Sequence, residues 1–209
     1  MNELTFIGSE IKKTKSLLIA ALLIVTAFFA GCASDEEVFN ETTVTIGSKG
    51  TIKHTIVETF DKTYYDENEL RELIDKELKL YCQNKDEDDA AVLKSLTIRE
   101  EVATALIEFK SYEDYAAFNE VDFFYGTVED AMKHEYTTDV TLKSAEDDTT
   151  ISRYEFESLA DSKMVVVSEP VEVILPGKIA YTTANIEVLD KDRARMASDT
   201  VGVGYILLK

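Results

Sequence analysis

The hydrophobic pattern changes character along this chain. Leu17 to Ala30 (LLIAALLIVTAFFA) is an unbroken run of fourteen uncharged residues. As a helix rising about 1.5 Å per residue it reaches roughly 21 Å, short of the roughly 30 Å of hydrocarbon that a permanent span must cross. Behind it, the apolar residues spread into strand-like alternation and helical spacing that continue to the C-terminus.

Thr43 to Ile46 predicts a first strand and Ser48-Lys49-Gly50 a turn. Thr51 to Phe60 predicts a half-buried strand, because Ile52, His54, Ile56, Glu58 and Phe60 alternate with a set rich in β-branched residues. Asp66 is placed to cap a helix with Glu69 three residues on, and Tyr65 to staple onto Leu70. Leu70, Leu73, Ile74, Leu78 and Tyr81 then form one apolar stripe, with Arg71, Glu72, Asp75, Lys76 and Lys79 toward water. An acidic loop, Asn84 to Asp89, ends the helix.

Ala91 to Ile98 and Val102 to Phe109 predict a hairpin. With Glu100-Glu101 as a two-residue turn, Arg99 pairs with Val102, and Val92, Leu96 and Ile98 lie opposite Phe109, Ala105 and Ala103. Both apolar sets then share one face. Glutamate suits such a turn poorly compared with Asn-Gly or Asp-Gly, so a longer loop is the alternative. Ser111 with Asp114 and Thr127 with Asp130 repeat the capping-box pattern, predicting a helix through about Asn119 and a shorter one near Val128 to His134.

Weaker patterns predict strands at Val140 to Leu142 and Ile151 to Tyr154, flanking a Glu146-Asp147-Asp148 bend, and a helical turn near Phe156 to Ala160. Met164 to Val167, Val171 to Leu175, Lys178 to Leu189 and Tyr205 to Leu208 read as strands. Pro176-Gly177 suits a turn in which Pro presets φ and Gly takes a positive φ. The fold expected is α+β, a mainly antiparallel β-sheet with two or three helices packed on one face. Residues 43–209 are expected to form a single domain.

Charge narrows the partners. The chain has 41 acidic and 22 basic residues. Removing residues 1–31 would take away two of the acidic and three of the basic groups, leaving a body of formal charge −20. Such a body is repelled by nucleic acid and by anionic headgroups, so nucleic-acid binding is not expected.

Lys12, Lys13 and Lys15 precede the apolar run, and Gly31-Cys32-Ala33-Ser34 follow it, the parts of a signal peptide in order. Phe29-Ala30-Gly31-Cys32 resembles the lipobox of bacterial lipoproteins, with Phe29 standing where that family usually has an aliphatic residue. The resemblance implies a diacylglyceryl thioether on Cys32 and cleavage before it. It also implies a location on the cell membrane, facing outside the cytoplasm. Residues 1–31 would then be a removed signal peptide and residues 32–42 the lipidated cysteine and a polar tether. Two acyl chains anchor firmly where one holds only reversibly. An uncleaved anchor helix and a soluble secreted protein are the competing readings.

Candidate chemistry is sparse. Cys82 would be the one thiol left after lipidation, so it has no internal disulfide partner, and no sequence neighbour offers it a base. His54 falls in a strand pattern and His134 near a helix end, and neither belongs to a zinc-type spacing. Asp86-Glu87-Asp88-Asp89 lacks the EF-hand spacing and reads as a solvated turn, as does Asp147-Asp148. Ser158, Ser162 and Ser168 lack nucleophile-elbow context. No cofactor motif is present, and no catalytic, cofactor or metal residue is assigned.

Tyr112, Tyr115, Phe118, Phe123, Phe124 and Tyr125 form a dense aromatic run, suited to a core or, where exposed, to meeting sugars or protein. Tyr64-Tyr65 is open to the same two readings. The segments Thr-Ile-Lys-His-Thr-Ile-Val, Tyr-Tyr-Asp-Glu, Asp-Tyr-Ala-Ala-Phe-Asn and Phe-Tyr-Gly-Thr-Val resemble those of small lipoproteins of gut Firmicutes. That group has no assigned activity, so the resemblance implies no site residue. The function expected is a lipid-anchored envelope protein that binds a protein or glycan. The alternatives are a hydrolase using paired carboxylates, or a structural lipoprotein without a small ligand.

Overall fold

Two β-sheets share one core. The computed structural model describes residues 39–136, 140–198, 200 and 202–209; the expected signal peptide, Cys32 and most of the tether lie outside them. The first sheet contains β1 (Thr43–Ile46), β2 (Ile52–Thr59), β3 (Ala91–Arg99), β4 (Val102–Phe109), β9 (Glu172–Ile174), β11 (Ile186–Asp190) and β12 (Arg193–Met196), in the order β11-β12-β9-β1-β2-β4-β3. Only its β1–β9 pair is parallel. The second sheet, wholly antiparallel, runs β5 (Phe123–Thr127), β8 (Lys163–Val167), β13 (Gly204–Leu208), β10 (Ile179–Thr182), β6 (Leu142–Ser144) and β7 (Thr150–Ile151). The helices are α1 (Glu67–Lys85), α2 (Tyr112–Asn119), α3 (Val128–Lys133) and α4 (Arg153–Phe156), the last continued by a 3₁₀ turn, Glu157–Leu159. The α+β class, with mostly antiparallel pairing and helices packed against sheet, is as expected.

Burial explains the layering. Strand side chains alternate between faces, and in the first sheet the apolar set Val44, Ile46, Ile52, Ile107, Phe109, Val173 and Ala194 enters the larger core. In the second sheet, β8 from Met164 onward and β13 are buried on both faces. Val165, Val167, Ile206 and Leu208 join that same core, while Met164, Val166, Tyr205 and Leu207 join a smaller one with Val128 and Ala131 of α3 and Phe156 of α4. The unbroken runs MVVV and YILL are therefore strands covered on both sides. Helices α1 and α2 contribute Leu78, Cys82 and Tyr115 to the larger core, so the helices divide between two clusters.

Caps and the hairpin form as the residues dictate. The Asp66 carboxylate accepts from the Asn68 and Glu69 backbone N–H groups at 2.8 and 3.1 Å. Glu100 and Glu101 make the two-residue turn with φ of 50° and 63°, and Arg99 pairs with Val102. A bulge at Lys94 then shifts the register, so that Ala91, not Val92, opposes Phe109. Such a bulge on an edge strand also discourages pairing with another chain.

Other expectations are corrected. Leu73, placed on the buried stripe, is 48% exposed, because α1 lies on the edge strand β3 and is covered most deeply toward Leu78 and Cys82. Phe123–Thr127 and Arg193–Met196 are strands the pattern did not announce. Ile151 ends a two-residue strand, and helix begins at Arg153. The Lys178 to Leu189 run is broken: β10 belongs to the second sheet and β11 to the first. Thr183 and Asn185 make that break. The Thr183 hydroxyl donates to Asn185 Oδ1 and accepts from the Tyr205 N–H, while the Asn185 amide reaches the Val203 carbonyl, so local side-chain bonds replace the ladder. Pro176-Gly177 likewise carries the chain from one sheet to the other, and Gly177 does not take the positive φ expected of it.

Candidate functional site

An open groove of about 560 Å³ lies where α2 ends and the second sheet begins. It is lined by Tyr112, Glu113, Ala116 and Ala117 of α2, by Glu120, Val121, Asp122, Phe123 and Phe124 that follow it, and by His134, Tyr136 and Ser168. The position of α2 builds it. Ser111 caps the helix, its hydroxyl accepting from the Asp114 N–H at 3.2 Å and donating to the Asp114 carboxylate at 2.8 Å.

That carboxylate, 3% exposed, ties α2 to α1. It pairs with Lys85 and accepts from the Tyr81 hydroxyl at 3.0 Å. Burial alone would raise the Asp114 carboxyl, but hydrogen bonds from Lys85, Ser111 and Tyr81 outweigh it and hold the group below its ordinary range. One residue on, the Tyr115 hydroxyl donates to Glu169, which follows Ser168 of the groove lining. Burial raises both groups, Tyr115 further through the charge of Glu169. The Asp122 N–H donates to Ser168 Oγ at 3.0 Å, joining two lining residues.

Inside the groove, Phe124 is the hub. Its ring centroid stands 5.1 Å from Tyr112, 5.4 Å from Tyr136 and 5.7 Å from His134. Gly126 permits this, since a Cβ there would fall 2.6 Å from Phe124 Cζ, closer than packed atoms approach. Burial, then the charge of Glu113, pushes Tyr112 up to about 12. Burial, then the charge of Asp122, raises Tyr136. The phenols are therefore neutral, with carboxylates beside them. Glu113, Glu120 and Asp122 of the lining are exposed, and among the described residues neither Lys nor Arg lines the groove. The C-terminal turn of α2, the negative end of its dipole, also has no basic residue.

Half of the aromatic run is core: Tyr115, Phe123 and Phe124 are buried, and Tyr112, Phe118 and Tyr125 half-buried. The accessible ring beside Tyr112 is Tyr136, outside that run and not singled out in the sequence. Tyr64, 75% exposed, lies with Tyr65 and Phe60 at the start of α1.

The remaining candidates are structural in their contacts. The acidic loop is answered by Lys110, whose ammonium reaches Glu87 at 2.5 Å and Asp89 at 3.1 Å. Asp86 caps α1 in the left-handed conformation. Asp147 accepts from the Thr149 N–H and hydroxyl, and Asp148 pairs with Lys143. Cys82 is buried against the Ala91 carbonyl. His54 is buried with neither ring nitrogen hydrogen-bonded among the described residues, its ring edge-on to Tyr115. Ser158 donates to the Glu155 carbonyl.

Among the described residues, no group of three or more His, Cys, Asp or Glu side chains is arranged to hold a metal ion. Among the same residues, no helix is long and apolar enough to cross a membrane. Comparison with protein-family models, curated proteins and solved structures finds no match.

Proposed function

We propose that this protein is a lipoprotein, anchored through Cys32 outside the cytoplasm, whose groove beside α2 binds a protein or glycan of the cell envelope. The observation that carries the binding reading is the groove itself. It is open, about 560 Å³, and lined by the half-buried Tyr112 and Tyr136 beside the buried Phe124. Half-exposed tyrosines offer an apolar face and a polar tip, which suits both sugar rings and protein side chains. The anchor rests on the Lys-rich flank, the apolar run and Gly31-Cys32.

Two measurements test the reading. Mass spectrometry of the membrane-extracted protein should find an N-terminus at Cys32 with two added acyl chains, and Cys32→Ala should leave the membrane fraction. A mature chain still starting at Met1, with a free thiol, removes the anchor from the account. For binding, the full chain in non-ionic detergent should co-sediment with purified cell-wall glycan or with envelope protein fractions, and Tyr112→Ala with Tyr136→Ala should weaken this about tenfold or more, roughly 1.4 kcal/mol. Sedimentation unchanged by the double variant rejects the groove as the binding surface.

A hydrolytic reading has one observation in its favour: Glu113, Glu120 and Asp122 line a single concave groove. Release of reducing ends from cell-wall glycan, abolished by Glu120→Gln, would establish it.

A further inference from the structure

We propose that the groove recognises an arginine side chain presented by a polypeptide partner; this rests on the binding reading above and names its ligand. The charge pattern is one-sided. Three exposed carboxylates, Glu113, Glu120 and Asp122, line it, and among the described residues no Lys or Arg does. Glu120 is also the C-cap of α2, so the negative end of the helix dipole lies at the groove, with no basic residue in the last turn to offset it.

The same lining holds the half-buried rings of Tyr112 and Tyr136, and a guanidinium is the cation that uses both. It is planar, stacks on phenol rings, and donates in a fork that matches a carboxylate. A neutral sugar would use the rings but leave the carboxylates unanswered, and an anionic one would be repelled. The volume argues for a polypeptide over a free amine: about 560 Å³ greatly exceeds one cationic group, and an open groove leaves room for the chain that carries it.

The protein's overall charge attracts any cation weakly, so the test must separate the groove from the whole surface. The full chain in non-ionic detergent is titrated with a short, end-capped glycine–serine peptide carrying a pair of arginines, and with the same peptide carrying glutamines, using anisotropy of a dye on the peptide. The arginine peptide is expected to bind about tenfold more tightly than the glutamine peptide, roughly 1.4 kcal/mol, and to weaken as salt is raised. Glu120→Gln with Asp122→Asn should remove that difference. Glu72→Gln with Glu187→Gln, which neutralises two exposed carboxylates elsewhere, should leave it intact.

Equal affinity for the two peptides, or equal loss in both variants, overturns the proposal. If neither peptide binds but glycan sedimentation persists and depends on Tyr112 and Tyr136, the arginine inference fails while the groove keeps its binding role. If sedimentation fails as well, both fall.

Discussion

At the residue scale, His54 shows how burial overrides a side chain's ordinary chemistry. It sits on the core face of β2, opposite Val44 and Ile107, where the charged form has no partner, and burial pulls its pKa from 6.5 to about 4. Between those two values the unfolded chain binds a proton that the folded chain refuses, so stability rises with pH across that window and is lost on acidification. Between pH 7 and pH 5 the loss should be about 2 kcal/mol. Urea midpoints at the two pH values measure it, and His54→Leu should flatten the dependence; an unchanged slope would put its source elsewhere. Asp114 acts in a lower range, its contribution lost only as pH falls through its own depressed pKa.

At the element scale, local chemistry and tertiary demand disagree at the β3–β4 turn. Both Glu100 and Glu101 occupy the left-handed region, at φ of 50° and 63°, where an L side chain costs roughly 1 kcal/mol per residue. They remain there because Arg99 must meet Val102 for Ile98, Leu96 and Leu93 to share a face with Ala103, Ala105 and Ile107. Replacing Glu100-Glu101 with Asn-Gly should therefore stabilise the protein by about 1–2 kcal/mol, seen as a higher urea midpoint. Amide contacts between Arg99 and Val102 should persist. A lower midpoint would mean that the glutamates contribute something beyond the turn.

At the scale of the whole molecule, the critical requirement is that β11 of the first sheet comes close to β13 of the second. A Cβ on Gly204 would lie 2.8 Å from Ile186 Cγ1, so the absence of a side chain lets Ile186 seat between the sheets. Gly204→Val should destabilise by about 1–3 kcal/mol through overpacking, and Ile186→Val in the same chain should recover part of it. Independent, additive losses in a double-mutant cycle would show that the two positions do not press on each other. Near the N-terminus of the described chain, Glu41 pairs with Arg195 of β12 at 2.5 Å, and Arg195 also approaches Glu172 of β9 at 3.6 Å. Glu41, just before β1, is thus fastened to the first sheet.

Local signals were legible wherever neighbours in sequence settle the outcome. The caps at Asp66, Ser111 and Thr127 depend on a side chain reaching an amide two or three residues away, and all three form. The hairpin register near Arg99 follows from turn length alone, while the bulge at Lys94 on the edge strand does not. The run from Lys178 to Leu189 looks continuous because hydropathy does not record which sheet a strand joins; Thr183 and Asn185 send its halves to different sheets. The candidate site was legible only in part. Its tyrosines and carboxylates are spread from Tyr112 to Tyr136, and only the seating of α2 by Asp114 and Tyr115, with Tyr136 brought alongside Phe124, makes them one groove. Sequence by itself determined the α+β class, the helix starts and the acidic charge, since each follows from composition or short-range geometry. Tertiary structure decided the division into two sheets and the assembly of the groove, because contacts between distant residues depend on how whole faces bury one another.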